Sequence, residues 1–390
     1  MRHATPLEIT IATLSREIGQ EGVQTHFNEL RRFLSRNGKP VHFVNPFDNS
    51  PFVVWPVFAV SRLLDPLSGA LGVRWYRYFH YVFLKRALAR QLNDGRRCVV
   101  YAQCPLSAKA AMEARRSPAQ KVVLAIHYNV SQADEWILKG KLSADGTTAA
   151  GIRALEASVA SRVDGLVVFS EFMRRSLIDA APAAAKVPSL VIAHFVGRID
   201  EPAEEEPKRD LISIGPLEPR KNHQYLLRVL AAAKRLGHAY TLTVIGSGPM
   251  RRRLVDLARS LEVAGQVTFE GFRPNAARHI LRHRALVHAS VVESFGVVLI
   301  EAMAGGRPIF AAPVGAIPEV FDDGVEGRYW PLDDPHAAAQ ILIDVLEVPQ
   351  DYARISALAR AHFEDRFEAS HLAPWLVEFL AAVGSGKTAA

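Results

Sequence analysis

Short runs rich in β-branched residues alternate with longer stretches of helical periodicity, and this alternation constrains the fold more than any other feature of the chain. In the first half we predict strands in EITIATL, PVHFV, RCVVYAQ, KVVLAIHYN and GLVVFS. VQTHFNELRRFLSRNG has the pattern of a helix that ends at Gly38. The alternation indicates βαβ units, and hence an α/β fold with a doubly wound parallel sheet covered by helices on both faces.

The alternation stops near Asp200 and then starts again. GRIDEPAEEEPKRD contains two prolines and a cluster of acids without an apolar period, which predicts a linker. Further strands are predicted in LISIG, TLTVIG, QVTFEG, ALVHAS and PIFAAP, with helices between them. A chain of 390 residues has the length of two domains. We therefore expect domains at 1–196 and 209–369, a linker at 197–208, and a C-terminal helix and tail at 370–390.

The composition is that of a globular protein, with 49% hydrophobic and 22% charged residues. The two cysteines, Cys98 and Cys104, form neither a disulfide framework nor a metal-ligand pattern, which favours a reducing compartment. The N-terminus lacks the apolar core of a signal peptide, and no run reaches the about 18–20 apolar residues of a membrane span. We therefore expect a cytoplasmic protein, either free or peripheral at the inner face of the membrane.

The net charge of +7 suits an anionic partner, such as nucleic acid, a membrane surface or a phosphorylated small molecule. No basic segment is interleaved with a recognisable reading motif, so we expect no nucleic-acid partner. Residues 51–90 interrupt the alternation, and within 74–86 aromatic residues recur at helical spacing between arginines and lysines. Such a helix can lie against an anionic membrane surface or can pack on the first domain, and the sequence leaves both interpretations open.

Three further motifs resemble known sites without completing them. GSGKT near the C-terminus lacks the glycine of a P-loop, because Ala381 stands at that position, and GSGPM lacks the third glycine of a dinucleotide fingerprint. His279 and His283 lie one turn apart in a predicted helix, without the neighbouring acid of a typical zinc site. We interpret them as histidines on a helix surface and predict no metal site.

The stretch ESFGVVLIEAMAGG contains Glu293 and Glu301, separated by seven mostly apolar residues. We predict a strand in ALVHAS, a loop in VVESFG and a helix in VVLIEAMA, which the two following glycines end. Glu293 would then lie at the carboxyl end of a parallel strand, the edge at which open α/β sheets bind ligands. The N–H groups of Phe295, Gly296 and Val297 would begin the helix and would suit an anion.

Glu301 lies in a helix that is apolar on almost every face, so we predict a buried carboxylate, which is costly without a specific partner. It either pairs with a buried arginine or accepts hydrogen bonds from ligand hydroxyls, and spacing alone does not decide. In ISIGPLEPRKN a strand ends at Gly215, and Arg220 and Lys221 precede the next helix. Adjacent cations in such a loop can hold a phosphate or can be a solvated pair.

Together, GPLEPRKN, GSGPMRRRL, VTFEGF, ESFGVVLIEAMAGGRPIFA and GAIPEVFDDGVEG resemble the retaining glycosyltransferases of family 4, which have the GT-B fold. The resemblance is close over residues 209–330 and weaker in GQEGVQTHFNEL and EASVASRVDGLVVFSEFMRRSL. It implies two Rossmann-like domains that face each other across a cleft, with the acceptor bound by the first and a nucleotide sugar by the second. It also implies that the C-terminal helix crosses back to the first domain.

The resemblance assigns roles to matching positions. Arg220 and Lys221 would hold the donor diphosphate, Glu301 would receive the ribose hydroxyls, and Glu293 would contact the donor sugar, with His127 beside it. The further donor-binding residues that it implies are Gly22, Gly215, Phe272, Arg273 and, through their amides, Phe295, Gly296 and Val297. This chain departs from the family at Glu21, which replaces the partner glycine of Gly22, and at Tyr128, which follows His127 where an acid is frequent.

The chemistry expected of such a protein is hexosyl transfer, with retention, from a UDP- or GDP-sugar to a hydroxyl acceptor such as a lipid-linked or polysaccharide intermediate. Basic side chains and helix amides can stabilise the charge that develops on the diphosphate, so we expect neither a metal nor a bound cofactor. Attack by the acceptor on the front face of the sugar is the expected route. The alternatives are a sugar-nucleotide epimerase of the same fold and an inactive scaffold at a membrane surface.

Overall fold

The computed structural model describes residues 8–19, 22–64, 67–128, 131–199 and 207–386. Most of the predicted linker at 197–208 falls outside these residues, as do Glu21 and the last residues of the GSGKT motif.

Contacts divide the chain into two compact units. The first unit contains the chain up to Glu17, His26–Ala193 and the residues from Leu372 onward. The second unit contains Ile18–Thr25 and His194–His371. The domain boundaries and domain roles drawn from the sequence stay a prediction, and each unit is described by itself below.

The first unit contains a six-stranded parallel sheet with the strand order β2-β1-β3-β4-β5-β6. Its strands are β1 Glu8–Ala12, β2 Val41–Val44, β3 Cys98–Ala102, β4 Gln120–Ile126, β5 Gly165–Val168 and β6 Ser189–Val191. Every residue of β3 and β5 is buried, as expected of a parallel sheet covered on both faces. The strand order reverses between β1 and β3, and ligands bind at the carboxyl ends of the strands at such a switch point.

Helices of the first unit connect and cover these strands. They are α1 Gly22–Arg36, α2 Pro51–Leu64, α3 Gly69–Gln91, α4 Pro105–Ala114, α5 Gln132–Leu138, α6 Thr147–Ala160 and α7 Glu171–Ala180. Side chains cap several N-termini, for example Ser170 at α7, whose Oγ accepts a hydrogen bond from the N–H of Met173. The first residues of α1, Gly22 to Thr25, are part of the second unit.

The segment that interrupts the alternation forms α2 and α3. Helix α3 buries Phe83 and Leu84 within residues 74–86, and Val73 and Leu88 on either side of them, so one face of this helix packs within the first unit. Within this segment, Phe52 is 91% exposed, Leu67 79% and Trp55 54%, and Tyr78 on α3 is 60% exposed. Among the described side chains of this segment, most of the exposed apolar ones therefore lie upstream of residues 74–86.

The second unit contains another six-stranded parallel sheet, ordered β12-β11-β10-β7-β8-β9. Its strands are β7 Arg209–Ile214, β8 Leu242–Ile245, β9 Val267–Gly271, β10 His283–His288, β11 Ile309–Ala311 and β12 Gly327–Tyr329. Strands β7 to β9 extend the sheet in one direction and β10 to β12 in the other, which is the Rossmann order with its switch point between β7 and β10. The predicted α/β class with two doubly wound parallel sheets is confirmed.

Helices of the second unit lie on both faces of this sheet. They are α8 His223–Arg235, α9 Arg251–Ser260, α10 Ala277–Ile280, α11 Val297–Ala304, α12 Ile317–Val320, α13 Pro335–Leu346 and α14 Pro349–Arg366. The core is apolar, and its largest side chain, Trp330, contacts the rings of Tyr225 and Phe310 at centroid distances of 6.0 and 6.1 Å. The last helix, α15 Ala369–Gly384, has most of its residues in the first unit.

Two expectations about histidines are wrong. Helix α10 ends at Ile280, so His279 and His283 do not share a helix. His283 is the first residue of β10 and is 2% exposed, with its two ring nitrogens bonded to the carbonyl of His279 and the hydroxyl of Thr243. The sequence suggested a longer helix because the polar residues before β10 continue the helical pattern.

Within the described residues, no helix combines the length and the apolar composition that crossing a membrane would require.

Candidate functional site

The switch point of the second sheet brings two strand-to-helix loops together. Strands β7 and β10 are paired neighbours, with Leu211 opposite Ala285. After β7 the chain forms a short 3-10 turn, Pro219–Lys221, and enters α8. After β10 it passes through Glu293 and enters α11. The N–H of Val291 donates to the carbonyl of Arg220 at 3.0 Å, which ties the two loops to each other.

Glu293 is the buried carboxylate of this site. It is 5% exposed, and its Oε2 lies 2.5 Å from Lys221 Nζ and 2.9 Å from His288 Nε2. Its Oε1 lies 3.9 Å from Arg220 Nη1, which is beyond hydrogen-bond distance. One carboxylate oxygen is therefore held by two donors, while the other faces a cation without a direct bond.

Charges decide the protonation of this cluster. Burial by itself would raise the pKa of Glu293, but Lys221, His288 and Arg220 together lower that pKa well below its usual value. Burial lowers the pKa of Lys221, and Glu293 opposes part of that change. Burial also lowers the pKa of His288, as does Lys221. We conclude that Glu293 and Lys221 form an ionised buried pair and that a neutral His288 donates its Nε2 proton to the carboxylate.

Two further polar groups lie in the same region. His223, the first residue of α8, is 4% exposed, and burial together with His288 and Lys221 lowers its pKa to about 3. Ser290 follows β10 and is fully buried. Within the part of the chain that the structure describes, His223 Nδ1 and the Ser290 hydroxyl have no hydrogen-bond partner. Buried polar atoms of this kind call for a specific explanation, and a bound ligand is one.

Two glycines shape the loop that carries Glu293. Gly296 precedes α11 with a φ of 88°, a conformation that favours glycine. Gly315 has a φ of 60°, and a Cβ on it would lie 2.0 Å from the carbonyl oxygen of Glu293. The N–H of Ala316 donates to that same oxygen at 3.2 Å. The loop that begins at Gly315 therefore packs directly on the backbone of Glu293.

The predicted burial of Glu301 is wrong. Glu301 is only half-buried in α11, together with Val297 and Val298, which precede it by one turn on the same face. The apolar composition of α11 suggested burial on all sides, but this face is not fully covered. Of the two glutamates, Glu293 is thus the buried one, and Glu301 is accessible.

The remaining donor-side residues have diverse environments. Phe295 is buried, and its ring contacts His194 and Phe367 at centroid distances of 5.0 and 6.2 Å. Phe272 follows β9 and is 39% exposed, and the side chain of Arg273 pairs with Glu270 at 3.3 Å.

Gly22 and Gly215 are two further glycines that the sequence predicted to bind the donor. Gly215 directly follows β7. Gly22 is the first residue of α1, and a Cβ on it would approach the side chain of Val297 to 3.0 Å. The structure therefore brings Arg220, Lys221 and Glu293 into one cluster, while the assignment of each residue to a part of the donor stays a prediction.

His127 belongs to the first unit, immediately after β4. Its Nε2 lies 3.0 Å from Gln103 Oε1, and its ring stacks on Phe169 at a centroid distance of 4.6 Å. Burial and the nearby His26 lower the pKa of His127 well below its usual value, so the ring is neutral. His26, which was not predicted as a site residue, is 1% exposed and forms a hydrogen bond with the Tyr101 hydroxyl at 3.0 Å. Its position on the apolar face of a predicted helix was the available signal.

The described residues contain no group of three or more histidines, cysteines, aspartates or glutamates that could hold a metal ion.

Family models match both halves of the chain. The description "Glycosyl transferase 4-like domain" matches residues 21–189, and "Glycosyl transferases group 1" matches residues 198–362. The chain is 26% identical over 353 residues to the phosphatidyl-myo-inositol mannosyltransferase of Mycolicibacterium smegmatis, covering 87% of this chain and 84% of that protein. It is 29% identical over 287 residues to the D-inositol 3-phosphate glycosyltransferase of Mycolicibacterium gilvum, covering 64% of each.

A solved structure supports the same relationship at the level of the fold. The structure of HepE from Anabaena, in complex with UDP and glucose, matches with a TM-score of 0.69 and 18% identity, covering 97% of this chain and 100% of that one. The sequence matches span both units, and the two parallel sheets agree with the fold that the motifs implied. The chain belongs to family 4 of the glycosyltransferases, which have the GT-B fold.

Proposed function

We propose that this glycosyltransferase moves a hexosyl group from a UDP- or GDP-sugar to a hydroxyl acceptor, with retention at the anomeric carbon and without a metal or bound cofactor. The observation that carries the proposal is the cluster at the β7–β10 switch point, where Lys221 and His288 hold one oxygen of a buried Glu293 beside Arg220. Because its carboxylate is fixed in this way, Glu293 presents a rigid acceptor for the hydroxyls of a bound sugar.

The leaving diphosphate would be stabilised from two sides. Arg220 has a side chain that is 27% exposed and is available to an anion. The N–H groups of Val297 and Val298 at the start of α11 precede the first backbone hydrogen bond of this helix, which Leu299 donates to Gly296, and they favour negative charge. Lys221 already donates to Glu293, but its ammonium group has three donors and can also face the diphosphate. Groups that meet charge as it develops lower the barrier to transfer.

The accessible position of Glu301 supports its proposed role as the acceptor of ribose hydroxyl protons, because a fully buried carboxylate would not reach a ligand. We assign the donor to the second domain and the hydroxyl acceptor to the first, beside His127. HepE was solved with UDP and glucose, which supports a UDP-sugar as the first donor to test. One relative is named for phosphatidyl-myo-inositol and another for D-inositol 3-phosphate. Both names support a phosphorylated or lipid-linked acceptor.

The test is a screen of UDP- and GDP-sugars scored by nucleotide release and thermal shift. The protein with Arg220→Ala and Lys221→Ala should bind the active donor poorly and should not transfer the sugar. Arg252→Ala, which changes an exposed arginine on α9, is the matched control and should behave as the native protein. Turnover of the double variant at the native rate would refute the proposal. Conversion of the donor sugar without an acceptor would identify an epimerase instead, and donor binding without turnover would identify a scaffold.

We also propose that the protein is peripheral at the inner, anionic face of the membrane. The exposed apolar side chains of Phe52 and Trp55 are the strongest support, and residues 74–86 add exposed Arg74 and Arg86. Sedimentation with anionic liposomes at low salt tests this. Phe52→Ser with Trp55→Ser should abolish sedimentation, whereas Tyr78→Ser should weaken it less. Native protein that stays in the supernatant would leave only the packing role for this segment.

A further inference from the structure

A buried polar cluster lies next to the carboxyl end of β4 in the first unit. It contains Arg77 from α3, Tyr128 two residues after β4, Gln132 at the start of α5 and Glu156 from α6. It borders a small apolar core whose buried members are Val73, Ala133, Leu142, Ala149 and Ile152. Arg77 follows Val73 by four residues and Glu156 follows Ile152 by four residues. On each helix the charged side chain therefore lies one turn beyond an apolar side chain of this core, on the same face.

The polar groups are joined in a defined order. Glu156 Oε2 accepts the hydroxyl proton of Ser131 at 2.6 Å, and Oε1 accepts the N–H of Gln132 at 3.0 Å. The side-chain oxygen of Gln132 accepts from Arg77 Nη1 at 3.1 Å. Glu156 thus uses both oxygens on the start of α5, and Gln132 connects it to Arg77 in place of a direct ion pair.

Two hydrogen-bond donors of the cluster are not used. Arg77 Nη2 and the Tyr128 hydroxyl are buried and have no hydrogen-bond partner among the described residues. Tyr128 is 5% exposed, so bulk water does not readily replace a partner. An unpaired guanidinium nitrogen is among the most costly groups to bury, and an apolar residue at this position would extend the small core at no such cost. The arrangement is therefore understandable if a ligand supplies the acceptor.

The chemistry of that ligand follows from the donors. A guanidinium edge and a phenol hydroxyl both donate to oxygen, and arginine is best matched by the two oxygens of a phosphate or carboxylate. Their place, at the carboxyl edge of a parallel sheet and one residue from His127, is where open α/β sheets bind ligands. We propose that Arg77 and Tyr128 bind an oxyanion, a phosphate or carboxylate group, that the acceptor substrate carries. This rests on the proposed function, which places the acceptor in the first domain.

The probe is inorganic phosphate, followed by phosphorus NMR titration. Phosphate would also occupy the diphosphate site, so the titration uses protein in which Arg220→Ala and Lys221→Ala have removed that site. In this background Arg77→Gln should weaken phosphate binding by about ten-fold or more, because it removes a charge-assisted bond. Tyr128→Phe removes only a hydroxyl and should weaken binding by a smaller factor. Arg74→Gln, one turn earlier and exposed on α3, is the matched control for this titration and should leave the phosphate affinity unchanged.

Equal phosphate affinity with and without Arg77→Gln would overturn the proposal, as would an equal loss with Arg74→Gln. If Arg77→Gln does not fold, Tyr128→Phe alone decides, and unchanged phosphate binding then refutes the site. Binding of UDP and of GDP to protein with Arg220 and Lys221 intact is measured in parallel. If the native protein binds neither nucleotide, the proposed function is refuted, whereas the phosphate result at Arg77 stands by itself.

A final arm separates the two sources of a phosphate group. Sedimentation with phosphatidylglycerol vesicles is compared between native protein and Arg77→Gln. A loss of sedimentation together with a loss of phosphate binding identifies a lipid headgroup as the ligand. Unchanged sedimentation together with a loss of phosphate binding identifies a soluble phosphorylated acceptor.

Discussion

Replacing Glu293 with glutamine tests whether the buried ion pair organises the site of the second unit. The substitution keeps the size of the side chain but removes the negative charge that faces Lys221. The side chains of Lys221 and Glu293 are 12% and 6% exposed, so the lysine would keep a charge that water scarcely reaches. Removing one partner of a buried ion pair costs about 3–5 kcal/mol, because the other charge is left uncompensated.

We therefore expect the free energy of unfolding to fall by about 3–5 kcal/mol, which for a unit of this size lowers Tm by about 6–20 °C. This loss in the free energy of unfolding should depend on pH. Burial lowers the pKa of Lys221 and Glu293 opposes this, so the variant lowers that pKa further. The folded state then binds fewer protons than the unfolded state, and stability rises with pH. The native protein and Glu293→Gln should accordingly differ less in their free energy of unfolding at about pH 9 than at about pH 6.

Calorimetric unfolding of Glu293→Gln, Lys221→Met and the double variant provides the measurement. The double variant removes both charges and should recover more than half of the loss, since neither charge is left alone. Asp256→Asn is the control, because it breaks an exposed pair with Arg259 and should cost less than about 1 kcal/mol. If Glu293→Gln unfolds within about 2 °C of the native protein at every pH, or if the two single losses simply add, the reasoning is refuted.

Three further predictions concern single residues. Glu301→Ala should weaken binding of the nucleotide sugar by about ten-fold or more in a calorimetric titration, and unchanged affinity would contradict the ribose assignment. Burial raises the pKa of Glu156 from 4.5 to about 7, so the folded state binds this proton more tightly than the unfolded state does. The stability that the protonated group contributes below pH 4.5 is therefore lost, by about 3 kcal/mol, as the pH rises through about 7. Glu156→Gln should flatten that dependence in urea unfolding, and an unchanged slope would exclude Glu156 as its source. Gly315→Ala should lower Tm and donor affinity together, because a Cβ would meet the carbonyl oxygen of Glu293, and a native Tm would contradict that close packing.

Much of the fold follows from local pattern. Helix α11 begins and ends where the sequence predicted, at Val297–Ala304, because glycines flank it on both sides. Each strand predicted from an apolar run is present within a few residues. The strands that were not predicted, Ser189–Val191 and Gly327–Tyr329, have three residues each, and the first is not buried. Such strands depend on a neighbouring strand to form, so their own sequence carries little signal.

The candidate site was predictable in place but not in its contacts. Strand ends and glycines place Arg220, Lys221 and Glu293 at one edge of the sheet, because parallel strands end at the same edge. Glu293 accepts hydrogen bonds from Lys221 and His288. Which side chains pair in this way depends on the packed fold and could not be predicted from the sequence. The burial of Glu301 was predicted wrongly for the same reason, since composition does not tell which face of a helix its neighbours cover.

Because Glu293 neutralises Lys221, Arg220 becomes the main cation of this cluster for the diphosphate. Because the pair carries no net charge, the guanidinium of Arg220 is the positive charge of this cluster that remains for the diphosphate, 3.9 Å from Glu293 Oε1 and not bonded to it. Negative charge on the diphosphate grows as the sugar–phosphate bond breaks, so a cation that faces it acts more strongly on the transition state than on the bound donor.

Arg220→Ala should therefore lower kcat by about 100-fold or more while changing donor affinity much less. Arg220→Lys keeps the charge but loses the planar pair of donors that matches two phosphate oxygens, so it should fall between the alanine variant and the native enzyme. Steady-state kinetics with the donor found in the screen, together with direct titration of the donor, separates the two effects. A variant that loses affinity but keeps the native kcat would show that Arg220 binds the ground state as strongly as the transition state, and the charge argument would then be wrong.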